Sequence, residues 1–99
     1  MRYAMHVLDA LGNPVRRAIL RELRAGPLAV GEIAKGLPVS RPAVSRHLKV
    51  LEDAGLVHAR EEGVRNLYSI RMQGFASVRD FVDDFWDAAL ARLEELARG

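Results

Sequence analysis

Residues 40–49 read Ser-Arg-Pro-Ala-Val-Ser-Arg-His-Leu-Lys, a run of side chains able to recognise an anion by charge and by shape. Arg41 and Arg46 carry planar guanidinium forks that match a phosphate or the O6 and N7 edge of guanine. Ser45 is short enough to let its helix approach a groove. Ser40 can satisfy the free N–H groups of a helix start or donate to a phosphate. Lys49 lies one turn further on, where a groove wall brings phosphates near. His47 sits between this polar face and the apolar stripe, as suited to packing as to a phosphate contact.

The same segment offers no catalytic geometry. Ser45, His47 and Asp53 are the residue types of a nucleophile, a base and an orienter, but on a single helix they cannot converge on one atom. The sequence has no cysteine, which excludes disulfides, thiolate metal sites and cysteine nucleophiles. His6 and His58 have no partner at ligand spacing and read as surface residues. Asp80, Asp83, Asp84 and Asp87 form an acidic stripe that would suit a hard cation, but a solvated or partner-facing face is the expected reading. The expectation is therefore no enzyme, no cofactor and no metal.

Helices must position the basic run. Ser40 has the form of an N-cap, with Pro42 tolerated inside the first turn, and the helix runs to about Ala54 before Gly55 stops it. Its apolar stripe is Ala43, Val44, Leu48 and Leu51, leaving Arg41, Ser45, Arg46 and Lys49 on the other face. A short helix over residues 30–37 precedes it, with Ile33, Ala34 and Leu37 inward, Gly36 inside it, and Pro38-Val39 as the turn. Upstream, residues 3–11 place Ala4, Val7, Leu8 and Leu11 at helical spacing. Asn13 then caps a helix with Pro14 at its first position, burying Val15, Ala18, Ile19 and Leu23 and exposing Arg16, Arg17, Arg21 and Arg24. Gly26-Pro27 ends it.

Downstream, residues 56–70 read as two short strands around Glu62-Gly63, with Val57, Ala59, Leu67 and Ile70 as packing positions. Residues 75–98 form a long helix with Phe75, Val78, Val82, Phe85, Ala89, Leu93 and Leu96 at i, i+3, i+4 spacing. Two short helices joined by a tight turn, the second basic at its start, form a helix-turn-helix pattern. Such a second helix fits the major groove of a duplex. The strand pair with Arg60 and Arg65 is placed like a wing gripping the flanking backbone. Glu61 and Glu62 weaken that wing contact.

Charge is distributed in keeping with this. The net charge of +2 conceals 12 basic against 7 acidic residues up to Met72, then 3 against 6 from Gln73 onward. The first part can face a polyanion, and the last part has another role. No apolar stretch approaches the roughly 20 residues of a membrane helix, and residues 1–6 do not read as a signal peptide. A soluble, cytoplasmic, single-domain chain over residues 1–99 is expected, with residues 30–54 as the helix-turn-helix, 56–70 as the wing and 75–98 as a dimerisation helix.

The residues 8–17, Leu-Asp-Ala-Leu-Gly-Asn-Pro-Val-Arg-Arg, resemble the D-x-L-x-x-P-x-R opening of the ArsR/SmtB-type winged helix-turn-helix repressors. Ser40 to Leu51 is similar to their recognition helix. Ala54-Gly55-Leu56-Val57 and the stretch from Arg60 through Gly63 to Tyr68 resemble their wing. The resemblance covers Met5 to Ile70. It implies a mainly α fold with a small β-hairpin, in the order α-α-α-α-β-β-α, and a homodimeric repressor on a palindromic operator in double-stranded DNA. Many members sense metals through a Cys-x-Cys pair, others through Asp/His pairs on the last helix. Here cysteine is absent and no histidine follows His58, so neither site is expected and any effector is unidentified.

The expected DNA-binding set is Ser40, Arg41, Pro42, Ser45, Arg46, His47, Lys49, Arg60 and Arg65. The last helix also carries a second apolar set, Phe81, Trp86 and Leu90, beside the first stripe. One helix of a small domain buries a single broad face on its own core, so the surplus predicts a partner surface. The expected dimer interface is Tyr3, Met5, Leu8, Phe81, Trp86, Leu90 and Leu93. Two other readings compete: a winged helix that docks an acidic protein, and a repressor with a metal or small-molecule effector.

Overall fold

A computed structural model describes residues 2–99, with side chains from residue 6 onward. The chain forms α1 (Arg2–Leu11), α2 (Pro14–Glu22), a two-residue strand β1 (Leu28–Ala29), α3 (Val30–Lys35), α4 (Arg41–Asp53), β2 (Val57–Glu62), β3 (Arg65–Ile70) and α5 (Ala76–Arg98). The caps are where the side-chain chemistry puts them. Asn13 Oδ1 accepts from the Val15 and Arg16 amides at 2.8 and 3.1 Å, with Pro14 at the first position of α2. Ser40 Oγ accepts from the Ala43 amide at 3.2 Å at the start of α4.

A single core joins these elements. Ile19, Ile33, Val44, Leu48, Leu51 and Leu56 are fully buried, flanked by Val7, Ala10, Leu20, Leu23 and Val57. Three of these belong to α4, so that helix is held on one side by α1, α2 and α3 and shows its other side to solvent. Each such buried aliphatic side chain contributes on the order of 1.5–3 kcal/mol.

The sheet has a strand more than the expected hairpin. Its order is β1-β3-β2, with Leu28 opposite Tyr68 and Ala29 opposite Leu67. Two residues are too few to show an alternating pattern, so β1 leaves no sequence signal. The hairpin turns at Gly63-Val64, and only Val57 of β2 is buried. Ala59, expected to pack, is exposed because the hairpin has left the core by that point. Other differences are local. Helix α2 gives way to a 3-10 turn, Leu23–Ala25, before Gly26. Gly36 is the C-cap of α3 rather than an interior residue. Phe75 closes a 3-10 turn, Met72–Phe75, and precedes α5.

The largest departure concerns α5. Phe75 and Val78 pack on the core, but Val82, Phe85, Leu93 and Leu96 do not, and no residue of the helix is buried. The helix projects away from the domain, which makes the molecule 63 × 25 × 21 Å with a radius of gyration of 17.0 Å. A compact chain of this length would have a radius near 13 Å. Helical spacing thus located the apolar stripe correctly but not what covers it. Of the expected interface residues, Leu8 is half-buried and Phe81, Trp86, Leu90 and Leu93 are exposed. The side chains of Tyr3 and Met5 lie outside the described residues.

One backbone contact fixes how the wing hands over to α5. Gly55 ends α4 with φ 78°, and Gly74 lies directly against it: a Cβ on Gly74 would overlap the Gly55 carbonyl and approach the Leu56 Cα within 3.2 Å. Neither neighbour is a flexible side-chain tip that can swing away. Replacing Gly74 by Ala is expected to destabilise the fold by about 1–3 kcal/mol, the usual cost of forced overpacking. Urea unfolding monitored by circular dichroism checks this: the midpoint should fall with an unchanged m-value.

Candidate nucleic-acid interface

Helix α4 presents Ser40, Arg41, Pro42, Ser45, Arg46 and Lys49 on its exposed side, opposite buried Val44, Leu48 and Leu51. The face is held by caps and core rather than by its own polar contacts. Arg41 and Arg46 make no ion pair among the described residues. Arg41 lies against the start of α3, its guanidinium carbon 3.3 Å from where a Gly31 Cβ would stand. There it lines a cavity of about 470 Å³ with Glu32, Lys35, Val39 and Arg65. A side chain at residue 31 would push the guanidinium away, a constraint separated from Arg41 by ten positions of sequence.

The other cations of the expected DNA-binding set are engaged with carboxylates. Lys49 Nζ is 3.1 Å from Asp53 Oδ1, Arg60 is 3.3 Å from Glu62 Oε2, and Arg65 is 3.3 Å from Glu32 Oε1. The hydrogen bond to Asp53 raises the Lys49 pKa above its ordinary value. Glu32 Oε1 also accepts from the Ala29 amide at 2.9 Å, which fixes the carboxylate at the start of α3. Sequence reasoning missed Glu32; the one available signal was its place three residues after the cap position. On the wing, Ser69 Oγ and His58 Nε2 form a cross-strand pair at 2.9 Å.

Arg16 is not an outward residue of α2 as the helical pattern implied. Its guanidinium donates to the Ala10 carbonyl at 2.7 Å and the Asp9 carbonyl at 3.1 Å, and Arg17 donates to Leu11 at 2.7 Å. These are unpaired carbonyls at the C-terminal end of α1, where cations are favoured. Arg16 reaches further, placing a guanidinium nitrogen 3.4 Å from His47 Nδ1. Since arginine only donates, Nδ1 is the acceptor and the ring proton sits on Nε2. His47 is half-buried, and in that tautomer its Nε2 is a hydrogen-bond donor.

Other candidates for chemistry stay apart. His6 and His58 are exposed on different elements, and no group of three His, Cys, Asp or Glu side chains able to hold a metal occurs among the described residues. None of the described helices is long and apolar enough to cross a membrane.

Comparison with known proteins gives a consistent answer. The helix-turn-helix domain family matches residues 11–60. The HTH-type transcriptional regulator Rv2034 of Mycobacterium tuberculosis is 52% identical over 88 residues, spanning 89% of this chain and 82% of its own. Transcriptional repressor SdpR of Bacillus subtilis is 34% identical over 66% of this chain and 72% of its own length. Among solved structures, a homodimeric winged helix-turn-helix DNA-binding domain from Mycobacterium bovis, described as a possible ArsR-family transcriptional regulator, superposes with a TM-score of 0.72. It is 33% identical, over 92% of this chain and 84% of its own.

Burial first, then the charges of Arg16 and Arg46, hold the His47 imidazole below its ordinary pKa of 6.5. The folded protein therefore binds fewer protons than the unfolded chain just below that value. Stability is expected to fall as pH drops through that window and to be fully present above it. Chemical unfolding between about pH 7 and 5 checks this: His47→Gln should flatten the dependence relative to the parent.

Proposed function

This chain belongs to the ArsR family of winged helix-turn-helix transcriptional regulators, and on that premise we propose that it is a homodimeric repressor of a palindromic operator in double-stranded DNA. The observation that carries this reading is the division of α4. One side is sealed into the core by Val44, Leu48 and Leu51, and the other offers Arg41 and Arg46, which have no ion pair among the described residues, with small Ser45 between them. A helix so mounted cannot turn its basic face inward, and the major groove, about 12 Å wide, admits it. Arg41 and Arg46 are assigned to base edges, Ser40, Pro42 and Ser45 to close approach, and Lys49, Arg60 and Arg65 to backbone phosphates. His47 is assigned a donor contact through Nε2.

The dimer follows from α5. Phe85, Trp86, Leu93 and Leu96 are 61–65% exposed on a helix about 34 Å long, more apolar surface than a water-soluble monomer normally leaves uncovered. A second copy related by a two-fold axis covers it and duplicates α4. Repression then needs only occupancy of the operator, which excludes polymerase from the same DNA. A protein of this kind is assigned to the cytoplasm, as the compartment that holds its DNA. The whole of residues 1–99 is assigned to one such domain, with residues 30–54 reading, 56–70 gripping and 75–98 pairing.

Two variants separate the parts. Arg41→Ala should weaken binding to a duplex selected from a random pool by about 1–3 kcal/mol and relax preference at one position per half-site. Fluorescence anisotropy on selected and scrambled duplexes reads this, and equal binding by parent and variant would show the assignment to be wrong. Trp86→Ala removes an exposed aromatic at the centre of the proposed interface, and should weaken dimerisation by about 2 kcal/mol or more. Sedimentation velocity over a concentration series should show a shift toward monomer.

A further inference from the structure

Arg16 on α2 joins three elements through three different nitrogens. Its Nε donates to the Ala10 carbonyl at 2.7 Å and its Nη2 to the Asp9 carbonyl at 3.1 Å, both at the end of α1. The remaining Nη1 lies 3.4 Å from Nδ1 of His47, 31 positions away on α4. A guanidinium is a rigid planar fork, so two bonds to neighbouring carbonyls fix its plane and with it the place of the third nitrogen. Capping a helix end needs only a cation near the carbonyls, as Arg17 shows at Leu11 with 2.7 Å. We infer that Arg16 is a positioning residue for duplex reading: it holds the His47 ring with Nδ1 as acceptor and Nε2–H free to donate to an acceptor on the duplex. This deepens the duplex-binding reading above and rests on it.

The physical basis is that an imidazole can carry its proton on either nitrogen, so an unheld ring offers a donor or an acceptor at the same point. Arginine only donates, so the nitrogen facing it must accept, and the ring proton goes to the opposite one. The bond that orients one ring nitrogen thereby sets what the other presents. Arg16 and His47 are both half-buried, so water competes less for the contact than it does at an exposed pair. Burial, then the charges of Arg16 and Arg46, disfavour a second proton on the ring. Asp9 and Asp53 line the cavity beside Arg16 together with His6, and Asp53 is engaged with Lys49. The acceptors that suit Nε2–H are a phosphate oxygen or the O6, N7 and O4 atoms of the major-groove edge, and the amino group of cytosine does not.

The test is a double-mutant cycle on the full chain: parent, R16K, H47Q and R16K/H47Q. Each is titrated by fluorescence anisotropy against the duplex the parent selects from a random pool and against a scrambled duplex of equal composition. Lysine keeps a cation for the α1 carbonyls but has no further nitrogen to reach His47, and glutamine carries an amide donor that needs no tautomer set. R16K should weaken selected-duplex binding about fivefold in the parent background and less than about twofold in the H47Q background. An equal loss in both backgrounds, or none in either, overturns the inference, because an arginine that only supports the fold acts whatever stands at position 47. Any loss of stability in R16K is carried by both backgrounds and cancels in the cycle. A matching loss on the scrambled probe assigns Nε2–H to a phosphate, and a loss confined to the selected duplex assigns it to a base edge. Long-range proton–nitrogen correlation spectra of the free chain at about pH 8, above the ordinary pKa of the ring, read the tautomer without DNA. The parent should carry the proton on Nε2, and R16K should show a share of rings with it on Nδ1. A spectrum that R16K leaves unchanged overturns the inference even where duplex is bound. If the ring responds as expected but the parent binds neither probe, the duplex-binding reading fails and this inference with it.

Discussion

The burial of Val44, Leu48 and Leu51 is the constraint from which the rest of this molecule follows. These residues fasten α4 to α1, α2 and α3 along one stripe, and a helix fastened along one stripe has a fixed opposite face. No polar contact is needed to aim Arg41, Ser45 and Arg46 outward. That arrangement leaves Arg41 and Arg46 without an ion-pair partner among the described residues, and it makes the orientation of their face as stable as the hydrophobic core itself. The Ser40 cap and the Gly55 stop set the ends of the same helix, and the close contact of Gly74 with Gly55 sets where the chain goes next.

That next segment, α5, is the part of the structure that makes least sense alone. Its apolar residues cover half the helix circumference, yet only Val78 reaches the domain core. Phe81 and Phe85 meet at a tilt of 60° with ring centroids 4.9 Å apart, and both remain exposed. Exposed acidic residues Asp80, Asp83, Asp84 and Asp87 occupy the other side. In the proposed dimer a second copy supplies what the chain lacks, and the small core of a 99-residue protein gains from the added burial.

Much of this was legible in the sequence, for identifiable reasons. Asn13-Pro14 and Ser40 with Pro42 are caps whose chemistry is local, and the α4 stripe is a periodicity that survives in any context. Features that depend on residues far apart in the chain were not legible. The side chain of Arg16 was assigned to solvent because helical spacing put it on the polar side, whereas the open carbonyls of α1 and the ring of His47 draw it in. Arg41 resting on Gly31, Glu32 holding Arg65 and Gly74 meeting Gly55 are all long-range contacts with no local pattern. The α5 stripe was found, but periodicity names a face and not its partner, so residues assigned to the chain's own core turned out to be uncovered.

The central claim is that one uncovered helix pairs two copies so that two sealed recognition helices read DNA together. Hydroxyl-radical footprinting of the duplex selected from a random pool tests it most directly. The account predicts two symmetric protected patches with a shared dyad, their centres about 34–36 Å apart along the helix axis, one turn of B-DNA. A single asymmetric patch at saturating protein would contradict it.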